Sequence, residues 1–276
     1  MKRACVIGWP IEHSRSPVIH GYWLDRYNID GRYTKRAVPP DTIETFLRSL
    51  ANEGLAGCNV TIPFKETAFC LVDERDASAT AVGAANTLWL ENGRLCASNT
   101  DTYGYMTYLG LQAEDWNRRD APVTILGAGG AARAIIHGFL EAGVPEIRLF
   151  NRSIARAEDL ANVFGPRVKV MPWDQRSRAS TEAAVLVNTT SVGLKGEGSL
   201  GLDFTDFHPD MIVSDIVYAP LDTGLIREAR RHGLRTVDGL GMLLHQAVPG
   251  FEKWFGVRPE VTDELYDRIA ADIEGK

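Results

Sequence analysis

Short apolar runs alternate with amphipathic stretches along the chain. In the first hundred residues, β-rich runs at 4–8, 33–38 and 58–62 predict strands. Residues 87–90 and 94–97 flank Asn92-Gly93, a dipeptide typical of a two-residue hairpin turn. From residue 123 onward, the pattern predicts strands at 123–126, 147–150, 168–171, 184–188 and 211–215, and helices at 131–140 and 154–164. Alternation of strand and helix predicts a parallel sheet covered on both faces.

The pattern of predicted strands and helices changes between the two parts of the chain, which predicts an α/β protein with two lobes. Residues 1–103 form an N-terminal α/β lobe, and residues 104–239 form a doubly wound, Rossmann-type lobe. The tail, residues 240–276, returns to helical periodicity, and we expect its helices to pack back on the first lobe and complete it.

The amino-acid composition and net charge argue against several kinds of binding partner. The 276 residues are 45% hydrophobic and carry a formal net charge of −6, which argues against nucleic acid or an anionic membrane as the partner. The apolar runs are too short for a membrane helix, and the first ten residues do not resemble a signal peptide. The four cysteines lack metal-ligand or disulfide spacing, so we expect reduced thiols, no metal and a cytoplasmic protein.

A glycine-rich segment, 123–132, leaves a predicted strand and enters a predicted helix. Its Gly-x-Gly-x-x-Ala pattern is typical of a dinucleotide-binding turn. Gly127 permits the tight turn, Gly129 lets the backbone approach a pyrophosphate, and free amides at the helix start face that anion. The alternative is a tight turn without a ligand. The predicted cofactor loop consists of Gly127, Ala128, Gly129, Gly130 and Ala131.

Cations after the next predicted strand indicate which dinucleotide is bound. Asn151-Arg152-Ser153 follows that strand, and Arg156 lies in the first helical turn, where the helix dipole disfavours cations unless an anion joins them. The 2′-phosphate of NADP is such an anion, and forked guanidinium donors suit it. We therefore favour NADP over NAD. The alternative is that Arg156 pairs with Asp159 on its own helix.

Polar residues at three predicted helix starts provide candidate chemistry. Lys65 lies in a first helical turn, again the unfavourable end for a cation, and Asp101 precedes another helix. Taken alone, Asp101 is predicted to be a plain N-cap, and Lys65 is predicted to be a solvated surface charge. If both lie beside a nicotinamide, they would form a proton-transfer pair. Ser14 and Ser16 precede a further helix, where hydroxyls and amides suit a carboxylate. A plain cap explains Ser16 but not Ser14.

Motifs in a fixed order along nearly the whole chain resemble the shikimate dehydrogenase family. The first contains Gly8-Trp9-Pro10 and ends at Ser16-Pro17, and the last contains Asp238-Gly239. The full set covers residues 8–17, 59–65, 83–87, 99–101, 127–131, 151–153, 188–193, 215–220 and 238–243, with Gln246.

The resemblance implies reversible, NADP-dependent reduction of 3-dehydroshikimate to shikimate in aromatic amino-acid biosynthesis, with the active site in a cleft between two lobes. It assigns catalysis to Lys65 and Asp101 and the substrate carboxylate to Ser14 and Ser16. Further substrate contacts fall on Asn59, Thr61, Asn86, Tyr218 and Gln246. Cofactor contacts fall on the glycine loop and on Asn151, Arg152, Ser153, Arg156, Ile216 and Gly239.

Three positions depart from the family pattern. Thr102 stands where the family usually has glycine, and Thr189 stands where it usually has alanine, near the expected nicotinamide. Ala77 stands where the family commonly has an acidic residue, and the neighbouring Asp76 is a candidate substitute for it. A quinate/shikimate or aminoshikimate dehydrogenase, or a non-catalytic NADP-binding sensor, therefore stays open as an alternative. The sequence also leaves open a homodimer, and whether Lys65 is the base or an electrostatic stabiliser.

Overall fold

A computed structural model describes residues 1–117 and 120–275. Arg118, Arg119 and Lys276, which fall within the predicted domain ranges, lie outside the described residues. The chain divides into two compact units, the first of residues 1–104 and 244–269 and the second of residues 105–243 and 270–276. Each unit is built on a six-stranded sheet, and the predicted α/β class is confirmed.

The sheet of the first unit is mixed, with the strand order β2-β1-β3-β5-β6-β4. Strand β1 pairs in parallel with β2 and β3, whereas β5 is antiparallel to both of its neighbours, β3 and β6. The strands are β1 (Lys2–Gly8), β2 (Gly31–Ala37), β3 (Gly57–Val60), β4 (Glu74–Arg75), β5 (Thr87–Glu91) and β6 (Arg94–Ser98). The β5–β6 hairpin turns at Asn92 and Gly93, which both have positive φ, a conformation that these two residue types adopt at low cost.

The sheet of the second unit is parallel throughout, with the order β12-β11-β10-β7-β8-β9. Its strands are β7 (Val123–Leu126), β8 (Ile147–Phe150), β9 (Val168–Met171), β10 (Val185–Asn188), β11 (Ile212–Asp215) and β12 (Arg235–Val237). The predicted apolar runs form five of these strands. The short β12, which the hydrophobic pattern did not reveal, adds the edge beyond β11.

Helices connect the strands. They are α1 (Ser16–Arg26), α2 (Ile43–Ser49), α3 (Lys65–Leu71), α4 (Ala77–Val82), α5 (Asp101–Gln112), α6 (Gly130–Glu141), α7 (Ile154–Phe164), α8 (Gly224–Arg231), α9 (Gly239–Phe255) and α10 (Asp263–Glu274). Within residues 1–117 and 120–275, none of the helices combines the length and apolar character needed to cross a membrane.

Each unit has its own apolar core, which fixes the strands and therefore the loops at their ends. In the first unit, Ile7, Leu50 and Leu88 are fully buried in a single cluster. In the second, Leu126 and Val213 belong to the corresponding cluster. Burying side chains of this size stabilises each by about 1.5–3 kcal/mol relative to exposure, so the strand ends are held by a rigid scaffold.

Candidate active site

The carboxyl ends of three strands of the first sheet lie on the same side of that sheet. Strands β1, β3 and β6 run in one direction, because β5 lies between β3 and β6 and is antiparallel to both. The loop after β1 carries Ser14, the loop after β3 carries Thr61 and leads to Lys65, and Asp101 follows β6. Candidate residues from distant parts of the sequence are therefore gathered at one sheet edge.

Lys65 and Asp101 form an ion pair at this edge. Lys65 Nζ lies 2.5 Å from Asp101 Oδ2, and the two side chains are 17% and 5% exposed. Asp101 is the first residue of α5, but its backbone N–H donates to the side-chain oxygen of Asn99, at 3.1 Å. The amide of Asn99 thus caps this helix start, and the carboxylate of Asp101 is left to bind Lys65. The N-cap alternative for Asp101 is wrong for that reason.

Asn86 lies at the centre of the hydrogen bonds around this pair. Its Nδ2 donates to Asp101 Oδ1 at 2.8 Å and to Gln246 Oε1 at 3.4 Å. Its Oδ1 accepts from the backbone N–H of Thr100 at 2.8 Å and from the hydroxyl of Thr87 at 3.0 Å. Asn86 is only 2% exposed, so these bonds replace those that water would form. They fix Asp101 from the side opposite Lys65.

Thr87 and Thr100 are parts of this arrangement that sequence reasoning missed. Both lie within motifs carrying the resemblance, but neither was assigned a role there. The hydroxyl of Thr100 donates to the backbone carbonyl of Gln246 at 2.7 Å, which ties α9 to the start of α5. A buried threonine directly beside a predicted site residue is the signal that could have identified each of them.

Ser14 and Ser16 lie together at the start of α1. Their hydroxyl oxygens are 3.2 Å apart, and the backbone N–H of Ser16 donates to Ser14 Oγ at 3.3 Å. The predicted N-cap at Ser16 is wrong by one position. Arg15 is the N-cap, because its carbonyl accepts the first helical bonds, from Val18 and Ile19. The two hydroxyls nevertheless form a single polar group at the start of α1.

The other predicted substrate residues are placed differently. Thr61 is half-buried and follows β3 directly. Asn59, on β3, is 5% exposed, and its Nδ2 donates to the backbone carbonyl of Asn86 and the hydroxyl of Thr87, both at 3.1 Å. Tyr218 belongs to the second unit, in the loop after β11. The structure therefore brings Lys65, Asp101, Asn86 and Gln246 into direct contact.

The predicted cofactor residues lie at the carboxyl ends of the second sheet. Strand β7 is flanked by β8 and β10, so the chain order reverses there, and such points are where open parallel sheets bind ligands. The glycine loop follows β7, Asn151 follows β8, Ile216 follows β11, and Gly239 follows β12 after one residue. All four loops open at one edge of the sheet.

Glycine is required at two of these positions. Gly127 has φ +112°, and a Cβ there would lie 2.7 Å from the hydroxyl of Thr189. A Cβ on Gly239 would lie 2.4 Å from the carbonyl oxygen of Ile216. Since real side chains do not approach so closely, both glycines allow neighbouring loops to pack directly. The structure thus joins two predicted cofactor residues, Ile216 and Gly239, that are distant in sequence.

The space above the glycine loop fits a bound phosphate. Gly129 is the N-cap of α6 and provides no side-chain cap, and a Cβ built there would meet no atom within 4 Å. The first amides of this twelve-residue helix therefore receive no side-chain cap from Gly129, and uncapped amides at a helix start suit a pyrophosphate. The side chain of Asn151 accepts from the N–H of Ala128 at 3.2 Å and holds the loop to the end of β8.

Arg152 and Arg156 are exposed at the start of α7. Within residues 1–117 and 120–275, neither arginine forms a salt bridge or side-chain hydrogen bond, and the alternative pairing of Arg156 with Asp159 is not formed. Ser153 is the N-cap of this helix, and its side chain caps no amide there. Two free guanidinium groups beside a helix start suit an anionic ligand.

The departures from the family pattern have local explanations. Thr189 is 8% exposed, and its hydroxyl donates to the carbonyls of Leu126 at 2.9 Å and Gly127 at 3.2 Å, so it contacts the glycine turn directly. Asp76, next to Ala77, is the N-cap of α4, and its carboxylate accepts from the N–H of Ala79 at 2.9 Å. This carboxylate is therefore already engaged in capping the helix. Thr102 is half-buried in the first turn of α5, which still begins at Asp101.

The second unit also contains a buried carboxylate to which the sequence analysis assigned no role. Asp215, at the end of β11 and 1% exposed, accepts from Asn188 at 2.9 Å, the N–H of Val217 at 3.0 Å and the hydroxyl of Thr223 at 2.7 Å. Burial raises the pKa of Asp215 to about 6, and the three hydrogen bonds oppose that rise. These bonds order the loops after β10 and β11. The signal was an acidic residue ending an otherwise apolar strand.

Among the residues that the structure describes, no group of three or more His, Cys, Asp and Glu side chains is placed to hold a metal ion.

Three family models match separate parts of the chain. The shikimate dehydrogenase substrate binding domain matches residues 6–88, shikimate / quinate 5-dehydrogenase matches residues 111–194, and the shikimate 5′-dehydrogenase C-terminal domain matches residues 239–263.

Individual relatives are similar over nearly their full length. The shikimate dehydrogenase (NADP(+)) of Azorhizobium caulinodans is 51% identical over 276 residues, covering 100% of this chain and 98% of that protein. Among solved structures, the shikimate 5-dehydrogenase of Thermus thermophilus in complex with NADP(H) and shikimate has a TM-score of 0.88 at 33% identity, covering 99% of this chain and 100% of that one. The quinate dehydrogenase of Corynebacterium glutamicum in complex with NAD has a TM-score of 0.89 at 26% identity, covering 98% and 99%.

Proposed function

We propose that this chain, which belongs to the shikimate dehydrogenase family, interconverts shikimate and 3-dehydroshikimate with NADP. The family membership agrees with the motif order along the sequence, and the relatives named NADP(+)-dependent enzymes match over the whole chain. The observation that carries the proposal is the ion pair between Lys65 and Asp101 at the carboxyl ends of the first sheet. A shielded ammonium held by a carboxylate, which is itself held by the amide of Asn86, is a proton donor in a fixed place.

The two units take different ligands in this proposal. The first unit binds the hydroxylated ring acid, with the paired hydroxyls of Ser14 and Ser16 directed to its carboxylate. Asn86, which donates to Asp101, and Gln246, which accepts from Asn86, are placed to bind ring hydroxyls. The second unit binds NADP, with its pyrophosphate at the glycine loop and its 2′-phosphate at Arg152 and Arg156. Bound NADPH supplies the hydride for the reducing direction.

Lys65 and Asp101 manage the proton that accompanies hydride transfer. In the reducing direction, the ammonium of Lys65 donates a proton to the ring oxygen as the carbonyl becomes a hydroxyl, and its charge stabilises the developing alkoxide. In the oxidising direction, the same nitrogen lies where it can receive that proton. Asp101 keeps the side chain of Lys65 in place and balances its charge, since its own second oxygen is held by Asn86.

Assays with purified protein test this function. We expect formation of NADPH, followed by its absorbance band, with shikimate and NADP, and a higher kcat/KM for this pair than for quinate or aminoshikimate with either NADP or NAD. A preference for quinate with NAD contradicts the proposed substrate and cofactor and supports the quinate enzyme. Binding of NADP without turnover of any of the three acids would indicate a non-catalytic sensor.

The cellular setting is part of the proposal. The four cysteines are free thiols, which supports a reducing compartment such as the cytoplasm. A role in aromatic amino-acid biosynthesis follows from the proposed reaction. A homodimer, and the lack of nucleic-acid and membrane partners, stay predictions.

A further inference from the structure

A continuous chain of buried hydrogen bonds leads from the edge strand β2 to the catalytic pair. The hydroxyl of Tyr33 donates to Asn59 Oδ1 at 2.6 Å. Asn59 Nδ2 donates to Thr87 Oγ1 at 3.1 Å, and that hydroxyl donates to Asn86 Oδ1 at 3.0 Å. Asn86 then donates to Asp101, the partner of Lys65. All five residues of this chain are buried: Tyr33, Asn59, Thr87, Asn86 and Asp101.

The ring of Tyr33 is fixed by a buried aromatic cluster. His20 stacks on it with ring centroids 3.9 Å apart and an interplanar angle of 10°, and the ring centroid of Trp254 lies 5.8 Å away. Burial raises the pKa of the Tyr33 hydroxyl above its ordinary value, so the hydroxyl stays protonated and acts as the donor. The cluster therefore delivers one hydrogen-bond donor to Asn59 from a side chain with little freedom to move.

This donor determines how Asn59 is oriented. Both hydrogens of Asn59 Nδ2 are in use, toward the carbonyl of Asn86 and the hydroxyl of Thr87, and its oxygen accepts from Tyr33. A reversed amide would place a donor against the Tyr33 hydroxyl and remove both bonds to residues 86 and 87. The carbonyl of Asn86, which can only accept, requires Nδ2 on that side, and the Tyr33 hydroxyl holds Oδ1 on the other side.

We propose that Tyr33 is a positioning residue for the Lys65–Asp101 pair, acting through Asn59, Thr87 and Asn86. This role rests on the proposed function, since it concerns the geometry of that catalytic pair. It places Asn59 behind the site, as a link in the buried chain rather than a substrate contact. Without the Tyr33 hydroxyl, the oxygen of Asn59 loses the donor at 2.6 Å, and the amide is held only by its bonds to the carbonyl of Asn86 and the hydroxyl of Thr87.

The test compares two tyrosines of the first unit. Tyr33→Phe removes the proposed donor, and Tyr22→Phe removes the hydroxyl of a similarly buried tyrosine that contacts Thr262, Glu264 and Arg26 instead. We expect Tyr33→Phe to lower kcat for shikimate oxidation about 10-fold, within the range that small misplacements cost, and to shift the pH at half-maximal kcat. We expect its Kd for NADPH to be unchanged, and Tyr22→Phe to match the wild type in every respect.

A second pair of variants covers the case in which Tyr33→Phe fails to fold. Thr87→Val interrupts the same chain, and Thr87→Ser restores the hydroxyl, so we expect loss of kcat in the first and recovery in the second. Wild-type kcat and pH profile in folded Tyr33→Phe, or in Thr87→Val, would overturn the positioning role while leaving the proposed function intact. Absence of shikimate oxidation by the wild-type chain contradicts the proposed function, and the positioning role with it.

Discussion

Lys65 and Asp101, 36 positions apart in the sequence, meet with Lys65 Nζ 2.5 Å from Asp101 Oδ2. Each is the first residue of its helix, and the two helices start at one edge of the same sheet. An ammonium at a helix start is unfavourable by itself, because the dipole places partial positive charge there. The carboxylate of Asp101 offsets that cost, and the resulting ion pair is the group to which we assign proton donation in the proposed reaction.

Lys65→Met tests whether this ammonium takes part in the reaction. We expect kcat for shikimate oxidation to fall about 10²- to 10⁴-fold, the usual range for loss of a general acid–base group. NADPH affinity, measured by its fluorescence, should stay at the wild-type value. Lys2→Met, at an exposed position of the same unit, is the control and should keep full activity. Near-normal turnover in Lys65→Met would remove Lys65 from the chemistry.

Arg152→Ala tests the preference for NADP over NAD. Arg152 is exposed and has no salt bridge within the described residues, so its loss should leave stability nearly unchanged. We expect the KM for NADP to rise about 10- to 100-fold, because a hydrogen bond to a charged group contributes about 1.5–3 kcal/mol. The KM for NAD should change little. Arg178→Ala, exposed elsewhere in the second unit, is the control. Equal effects on both cofactors refute the assignment of the 2′-phosphate.

Thr189→Val tests the contact between Thr189 and the glycine turn. The variant keeps the shape of the side chain but loses the hydroxyl that donates to Leu126 and Gly127. We expect the Kd for NADPH to rise about 5-fold, the equivalent of roughly 1 kcal/mol for one hydrogen bond, and Thr189→Ser to restore it.

The matched control for Thr189→Val lies on the strand that precedes the turn. The hydroxyl of Thr124 is buried and has no hydrogen-bond partner among the described residues. We expect Thr124→Val to bind NADPH like the wild type and to melt at an equal or higher temperature, since it removes an unpaired polar group. Equal Kd values for Thr189→Val and Thr124→Val would show that the contact with the turn does not affect binding.

Asp215→Asn tests the buried carboxylate of the second unit. The pKa of Asp215 is raised from 3.8 to about 6 in the folded chain, so the folded state binds this proton more tightly than the unfolded state. The stability that the protonated form of Asp215 contributes is therefore lost as pH rises from about 4 to about 6. The free energy of unfolding then falls by up to roughly 1.4 kcal/mol per pH unit. Urea unfolding should show Asp215→Asn gaining stability relative to the wild type across this window. A pH-independent difference contradicts the raised pKa.

His20→Phe tests a titration of opposite sign in the first unit. His20 is fully buried, and neither ring nitrogen has a hydrogen-bond partner in residues 1–117 and 120–275, so burial lowers its pKa from 6.5 to about 3. The unfolded state binds the proton first, and stability is lost as pH falls below 6.5. The free energy of unfolding of His20→Phe, relative to the wild type, should rise as pH falls from 6.5 to 4. If it stays constant, His20 is not a buried neutral ring.

Local sequence determined many of the elements that carry the site. Asn92-Gly93 predicted the β5–β6 hairpin because both residues accept positive φ at low cost, and Gly127 predicted the turn after β7 for the same reason. The apolar runs of the second lobe predicted five parallel strands, since both faces of such a sheet are buried. Lys65, Asp101 and the glycine loop were all identifiable from residue type and position at helix starts.

Only the tertiary structure decided which polar groups meet. Asp101 by itself was predicted as an N-cap, and its ion pair with Lys65 depends on the pairing of β3, β5 and β6, which no local pattern encodes. The links among Tyr33, Asn59 and Asn86 likewise join three separate strands or loops. Turn and helix preferences act over a few neighbouring residues, whereas hydrogen bonds among buried groups depend on strand order and register, which the whole core determines.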